Sequence, residues 1–586
     1  MGTPARPIAR PATTQARGEG VKGMRRPPAV VFSAAFAIVL AAGLLIPGAT
    51  GAAPGSSKGR YSGGMADRRS VPATRVASAA TEATDGLTPR ELKMWALLNN
   101  PNVSATGGPN YELECTALGT PPNTLLDCDD PVAPKNEPDI EVDPADPNHM
   151  IASANDYESC CDAFYTTFDG GATWSVGDMS TIEDGRIGSD PVTVFDTKHS
   201  VALHTSLNFI CTDVACGEGD LVVSPSYDGG VTWEQAIEIY DGEGFDFDPV
   251  QVFNDKEWIV ADNNPSSPHY GRVYVTWSRF LSLNGAYAES PIWESHSDDG
   301  GLTWSPGQEI SGSSETCTFQ EEGAAFECDE NQFSVPTVGP DGTVYVAFEN
   351  GQHEASWEAG ELFESQYMVV QSRDGGVTWS DPVSVVDLED GTLDYPINVN
   401  GRQTLSGFQV RVNSAGNIVA DPTSGKLYLV FSDNREGVHD VADPVTNTNV
   451  YLMWSRNGVE WRGPIAVTDA PKDQWFPWVE VNPVTGEVGV LYHDRSGARI
   501  LYNTVFATGT LDTGFAFQTV STASSNPVQS AFFRAQTPGC GRCATFHGDY
   551  INVSYGSDGV AHLVWTDMRR FIPGKGFTEN IFHATA

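Results

Sequence analysis

Three stretches late in the chain set an acid beside an arginine just past a β-rich run: Asp433-Asn-Arg435, Asp494-Arg495 and Asp567-Met-Arg569. Trp277-Ser-Arg279 stands at the corresponding point of an earlier run. Guanidinium forks bind carboxylates through two parallel hydrogen bonds, so each pair is either a local ion pair capping its own loop or part of a shared polar site. A further cluster of acids stands where β-rich runs begin: Glu137, Asp139, Asp190, Asp246, Asp248 and the sequence His547-Gly-Asp549-Tyr550. If the chain brings these points to one mouth, carboxylates and guanidinium groups converge on a single pocket.

The elements that must position them recur. Thr167-Phe-Asp-Gly-Gly-Ala-Thr-Trp174, Ser226-Tyr-Asp-Gly-Gly-Val-Thr-Trp233, Ser297-Asp-Asp-Gly-Gly-Leu-Thr-Trp304 and Ser372-Arg-Asp-Gly-Gly-Val-Thr-Trp379 share one pattern, and Ser455-Arg-Asn-Gly-Val-Glu-Trp461 is a copy one residue short. The hydroxyl and the carboxylates of Asp169, Asp228, Asp299 and Asp374 suit bonding to turn amides, and Gly-Gly supplies positive φ. Each copy therefore reads as a hairpin tip, the Asp structural and the Trp packed inward. Upstream of each tip lie two strands rich in β-branched and aromatic residues, such as Asp190-Pro-Val-Thr-Val then Ser200-Val-Ala-Leu-His, or Phe408-Gln-Val-Arg-Val then Lys426-Leu-Tyr-Leu-Val-Phe. Units of this kind start near residues 137, 188, 246, 332, 407, 475 and 548.

Two strands plus a hairpin make the four strands of a propeller blade, so the expected fold is an all-β propeller of seven apparent blades over residues 111–586. The last unit has three strands before Ala586, and a strand within residues 110–120 is expected to complete it and close the ring. In such a ring the hairpin tips mark one face. Residues after the second strand and before the first line the mouth on the other.

The S-x-D-x-G-x-T-W tips are Asp boxes, and with the blade pattern they make residues 137–586 resemble the sialidase-like, BNR-repeat propellers. The resemblance implies a retaining exo-glycosidase that binds a sialic acid carboxylate with three arginines and uses a Tyr–Glu pair and an Asp acid/base. Arg279, Arg435, Arg495 and Arg569 are the arginines available for substrate binding, and Tyr492, Asp494, Asp549 and Tyr550 the groups available for catalysis. The family's F-R-I-P motif is absent, with Glu137-Pro-Asp-Ile140 in its place, and seven units stand against the six blades of the sialidases. The alternative is a noncatalytic propeller that recognises an extracellular glycan or glycoprotein.

Composition narrows the partners. The chain of 586 residues has 34 basic and 76 acidic residues, and eight of the basic ones fall within residues 1–60. A body this acidic disfavours nucleic acid and anionic lipid. Oxygen-rich mouth loops suit Ca2+, although no EF-hand loop or HExxH motif is present and no cofactor is indicated.

A basic start, the uncharged run Ala29 to Ile46 and the small residues up to Ala53 read as a signal peptide over residues 1–53, with an uncleaved anchor as the alternative. The mature chain is then secreted, without a membrane span. Residues 54–110 read as a flexible linker carrying one short helix, opened by the capping box Thr88-Pro-Arg-Glu91. All ten cysteines follow the signal, and the close pairs 211/216, 317/328 and 540/543 read as loop staples.

Overall fold

The computed structural model describes residues 117–118, 123–127 and 134–586, apart from 158–160, 184, 212–215, 319–324, 354–363, 392–393, 397–402, 441–442, 497–501, 526–545, 570, 573–575 and 578. The expected signal peptide, linker and short helix lie outside these residues, as does the 540/543 cysteine pair. The described residues are all-β and contain no helix.

Strands follow one another as antiparallel four-strand meanders. Unit one runs Lys135–Val142, Met150–Asp156, Ala163–Thr167 and Ser175–Asp178. Unit two runs Ile187–Asp196, Val201–Cys211, Cys216–Ser226 and Ile237–Tyr240, and unit three Val250–Ala261, Val273–Leu283, Ile292–Ser297 and Gln308–Glu309. A bridge between Phe253 and Gly219 joins these two, together with the short strand Ala286–Glu289 beside Val273–Leu283, into one nine-stranded sheet. Unit four comprises Asn331–Val338, Val344–His353, Glu364–Ser372 and Val383–Asp387. Unit five comprises Ile418–Ala420, Leu427–Asp433, Asn449–Ser455 and Trp461–Ala466, and unit six Gln474–Val481, Val488–Asp494, Tyr502–Thr510 and Gly514–Ser525.

Unit seven orders Asn552–Tyr555, Ala561–Asp567 and Asn580–Thr585, and then takes Asn123–Leu125 and Ala117–Leu118 from the other end of the chain. Thr124 pairs with His583 and Leu125 with Phe582. The completing strand thus lies at 123–125, later than the 110–120 expected. Ala117–Leu118, within the expected range, pairs with that strand at the outer edge of the sheet, Ala117 opposite Thr124. The first strands of successive units pack together in chain order, and that of unit seven packs on that of unit one. No helix among the described residues is long and apolar enough to cross a membrane. Cys211–Cys216 and Cys317–Cys328 are disulfides, each closing a short loop.

The Asp-Gly-Gly tips connect third and fourth strands, and each is a closed hydrogen-bond system. Asp374 Oδ1 accepts from Ser372 Oγ at 2.9 Å and Thr378 N at 2.9 Å, and its Oδ2 from Thr378 Oγ1 at 2.7 Å. Asp169, Asp228 and Asp299 repeat the arrangement. The second glycine of each tip presses on the preceding unit: a Cβ on Gly230 would stand 2.6 Å from Ile151, and one on Gly301 2.8 Å from Leu203. On Gly171 it would stand 2.7 Å from His583, so the first tip rests on the last unit. The tips therefore join neighbours as well as turning the chain.

One unit starts elsewhere than expected. Phe408–Arg411 forms a small hairpin with Thr404–Leu405, and Ile418–Ala420 is the first strand of unit five. Gly416 makes that choice possible, because its bare Cα lets the chain pass the Val430 carbonyl, which a Cβ would meet at 2.1 Å.

Candidate active site at the ring axis

Five first strands carry the same irregularity. Their pairing shifts between Asn136 and Asp139, Ser189 and Val192, Asp255 and Trp258, Gln332 and Val335, and Trp475 and Trp478. At each shift one residue takes positive φ: Glu137 (55°), Asp190 (58°), Lys256 (58°), Phe333 (55°) and Phe476 (52°). Gly548, at φ 87°, stands just ahead of the first strand of unit seven. Such bulges re-aim side chains, and non-glycine residues held at positive φ cost about 1–3 kcal/mol each. Repetition around a ring concentrates their side chains at the axis.

A narrow pocket opens there, lined by Lys256, Trp258, Phe333, Trp478, Asp549 and Tyr550 among others. The Lys256 ammonium lies 3.5 Å from the ring centre of Tyr550 and 3.8 Å from Asp190 Oδ2. Asp549 is bound by Arg411, whose Nε donates to Oδ1 at 3.1 Å and whose guanidinium stacks 4.2 Å from Phe546. Asn413 Nδ2 donates to the same oxygen at 3.3 Å.

Glu137 sits against Gly548, the residue before Asp549: a Cβ on Gly548 would stand 2.8 Å from Glu137 Cγ. Asn155 Nδ2 donates to Glu137 Oε2 at 3.0 Å. Burial pushes the Glu137 carboxyl well above its ordinary value, and Asp190 reinforces the shift. Glu257, fully buried, is raised in the same way, and Asp255 is pushed up to about 7. The Tyr550 hydroxyl is also raised, by burial first and then by Glu137 and Asp190. The axis therefore holds carboxyls and a phenol raised by burial beside Asp190 and Asp549, each in an ion pair.

His547 positions the Gly548–Asp549 turn. It accepts a hydrogen bond from Trp475 Nε1 at 3.4 Å and lies 5.7 Å, nearly parallel, from Tyr502. Burial holds it well below its ordinary pKa, so it stays a neutral acceptor.

The structure resembles those of sialidases and a family-93 glycosidase. The intramolecular trans-sialidase from Ruminococcus gnavus shows 15% identity over 64% of this chain and 94% of that one, TM-score 0.36. The GH93 α-L-arabinofuranosidase of Fusarium graminearum shows 12% identity over 61% and 88%, TM-score 0.40. The NanB sialidase from Streptococcus pneumoniae shows 8% over 75% and 83%, TM-score 0.39. No family model and no curated protein matches the sequence.

Of the residues singled out from sequence, Asp549 and Tyr550 line the axial pocket, with Glu137, Asp139 and Asp190 on the surrounding strands. Asp139 staples three units, accepting from Asn552 Nδ2 at 2.7 Å and Thr193 N at 2.8 Å. Tyr492 points into the apolar layer between units five and six. Asp494 accepts from Gln474 Nε2 at 3.0 Å and from Ser496 N at 2.8 Å.

The four arginines are each held separately. Arg435 Nε donates to Asp433 Oδ1 at 2.9 Å, and the guanidinium stacks 4.6 Å from Tyr451. Arg495 binds Asp473 and donates to the Ser406 carbonyl at 2.8 Å. Arg569 reaches Asp567 at 2.5 Å and Asn123 Oδ1 at 2.9 Å, tying in the completing strand. Arg279 lies 5.0 Å from the Trp293 ring. Asp246 and Asp248 cap a loop, accepting from Cys216 N at 3.0 Å and Phe245 N at 2.9 Å.

Sequence reasoning missed Lys256, Glu257 and Arg411. The first strand of unit three is twelve residues long, and its early alternation drew attention to Asp246–Val252 rather than to the bulge at Lys256. The repeated motif of an acid or aromatic followed by proline, in Glu137-Pro138, Asp190-Pro191 and Phe476-Pro477, was the available signal.

Among the described residues, two groups of three side chains bring acidic or imidazole ligand atoms together: Asp220, Glu238 and Asp241, and Glu389, Asp394 and His439. Arg186 already neutralises the first, with Nη1 2.8 Å from Asp220 Oδ2.

Proposed function

We propose that the protein is a secreted, sialidase-like β-propeller whose seven units are blades, joined by Asp boxes, and that it acts as an exo-glycosidase on an uncharged terminal sugar at the axial pocket. The reading is carried by one observation: Glu137, its carboxyl raised by burial, packs against Gly548, the neighbour of Asp549, which Arg411 binds as an ion pair. A carboxyl raised by burial suits an acid, and a second carboxyl near it can act as nucleophile or base. Glu137 is the general acid, and Asp549 the nucleophile or base. Trp258, Phe333, Trp478 and Tyr550 supply apolar faces for stacking on a sugar. Lys256 donates to a ring hydroxyl.

An uncharged sugar is favoured over sialic acid because Arg435, Arg495 and Arg569 are each taken up by an acid of their own. The axial cations are likewise taken up, Lys256 by Asp190 and Arg411 by Asp549. A second reading, a noncatalytic glycan-binding propeller, is favoured by the commitment of both Asp549 oxygens to Arg411.

The test is hydrolysis of a panel of fluorogenic glycosides of neutral sugars and of sialic acid by the secreted chain, with glycan-array binding in parallel. Turnover of a neutral glycoside supports the enzyme. Turnover of sialosides alone overturns the uncharged-sugar reading, and array binding without any turnover overturns catalysis.

A further inference from the structure

A second polar centre lies between units four and five. Glu389 follows the last strand of unit four, Asp394 lies five residues on, and His439 comes from the loop after Leu427–Asp433. One ligand atom from each lies within 4.8 Å of the others. Glu389 and Asp394 are buried, and the His439 side chain is 14% exposed.

The three are held by one residue. Asn434, fully buried, donates its backbone N–H to the Glu389 carbonyl at 3.2 Å and its side-chain amide to the Asp394 carbonyl at 2.6 Å, and its own carbonyl lies 3.1 Å from His439 Nε2. A backbone carbonyl can only accept, so His439 Nε2 carries a hydrogen. In the neutral ring that leaves the Nδ1 lone pair aimed at the carboxylates, 2.8 Å from Asp394 Oδ1 and 3.8 Å from Glu389 Oε2. Gly391 N donates to the other Asp394 oxygen at 2.8 Å, which turns Oδ1 toward the ring.

Two carboxylates and a ring nitrogen this close are held together by a proton on the ring or by a cation shared among them. We propose that Glu389, Asp394 and His439 bind a divalent transition-metal ion of the zinc type. An imidazole with two carboxylates suits that class better than calcium, which takes a larger, all-oxygen shell. Donors about 2.1 Å from a tetrahedral zinc stand roughly 3.4 Å apart, a spacing bracketed by the 2.8 and 3.8 Å observed. A histidine that gives its second N–H to a carbonyl is the usual outer support of such a ligand. The competing arrangement is an imidazolium ion pair, which needs no metal.

The experiment is titration of the chelator-stripped full chain with Zn2+ by calorimetry, with Co2+ absorption as a second readout, comparing wild type with His439→Ala and Asp394→Asn. Far-UV circular dichroism establishes that each variant is folded, and Asp394→Asn decides if His439→Ala is not. The wild type should bind one more equivalent than either variant, or bind that equivalent at least about 100-fold more tightly, and only the wild type should show tetrahedral Co2+ bands. Equal stoichiometry and affinity in wild type and a folded variant would overturn the site, as would no Zn2+ uptake by the wild type.

Discussion

Gly548 leaves a gap that Glu137 fills: the position a Cβ would take on Gly548 is 2.8 Å from both the Cγ and the backbone N of Glu137. The contact joins the first and last units of the chain at the axis. Gly548 also holds φ at 87°, which other residues adopt only with strain. Gly548→Ala should therefore destabilise the fold by about 1–3 kcal/mol and displace Asp549. A lowered Tm together with lost glycosidase turnover is expected, and a variant as stable and active as wild type would contradict the packing.

Arg495 is buried against Asp473, which is itself fully buried. Arg495→Ala leaves that carboxylate uncompensated and should cost about 3–5 kcal/mol, while turnover per folded molecule at the axis is kept. Combining it with Asp473→Asn should restore part of the loss. Denaturant unfolding of the single and double variants, with activity scaled to folded protein, checks both points.

The Asp374 carboxylate is exposed yet held at about 2 by Thr378 and Ser372. Its stabilising effect is present above its ordinary pKa of 3.8 and is lost as pH falls through about 2. Asp374→Ala should lower stability by less than about 1 kcal/mol at neutral pH, because solvent screens the site. The difference in Tm from wild type should shrink as the solution is acidified below pH 3.8. Glycosidase activity should be unchanged.

Glu480 has the opposite sign. Burial raises its carboxyl from 4.5 to about 7, so the stability it contributes while protonated is complete below pH 4.5 and is lost as pH rises through about 7. Glu480→Gln keeps the neutral shape and removes that loss. At pH values above 7 the variant should be more stable than wild type by about 1–3 kcal/mol, with little difference below pH 4.5. Thermal melts across that range measure it.

The fold was legible where a few adjacent residues make their own bonds. The Asp-Gly-Gly tips announce themselves because Asp374 and Thr378 close a turn within five residues, and Gly-Gly permits it. Asp549 and Tyr550 could be placed at the axis because they precede a first strand. Lys256 could not, since its position depends on a bulge deep within a long strand rather than at its start. The fates of Arg435, Arg495 and Arg569 were equally hidden, because the same Asp–Arg spacing serves a shared pocket or a private ion pair. Arg495 even passes over the adjacent Asp494 to bind Asp473, a partner 22 residues away in sequence.

The central claim is that Glu137 and Asp549 form the working pair of a glycosidase, and kcat of Glu137→Gln and Asp549→Asn on a neutral fluorogenic glycoside tests it most directly. Both variants should remain folded and lose about 100-fold or more in kcat, and wild-type activity should fall as pH rises through the raised pKa of Glu137. Two folded variants that retain wild-type kcat would contradict the account.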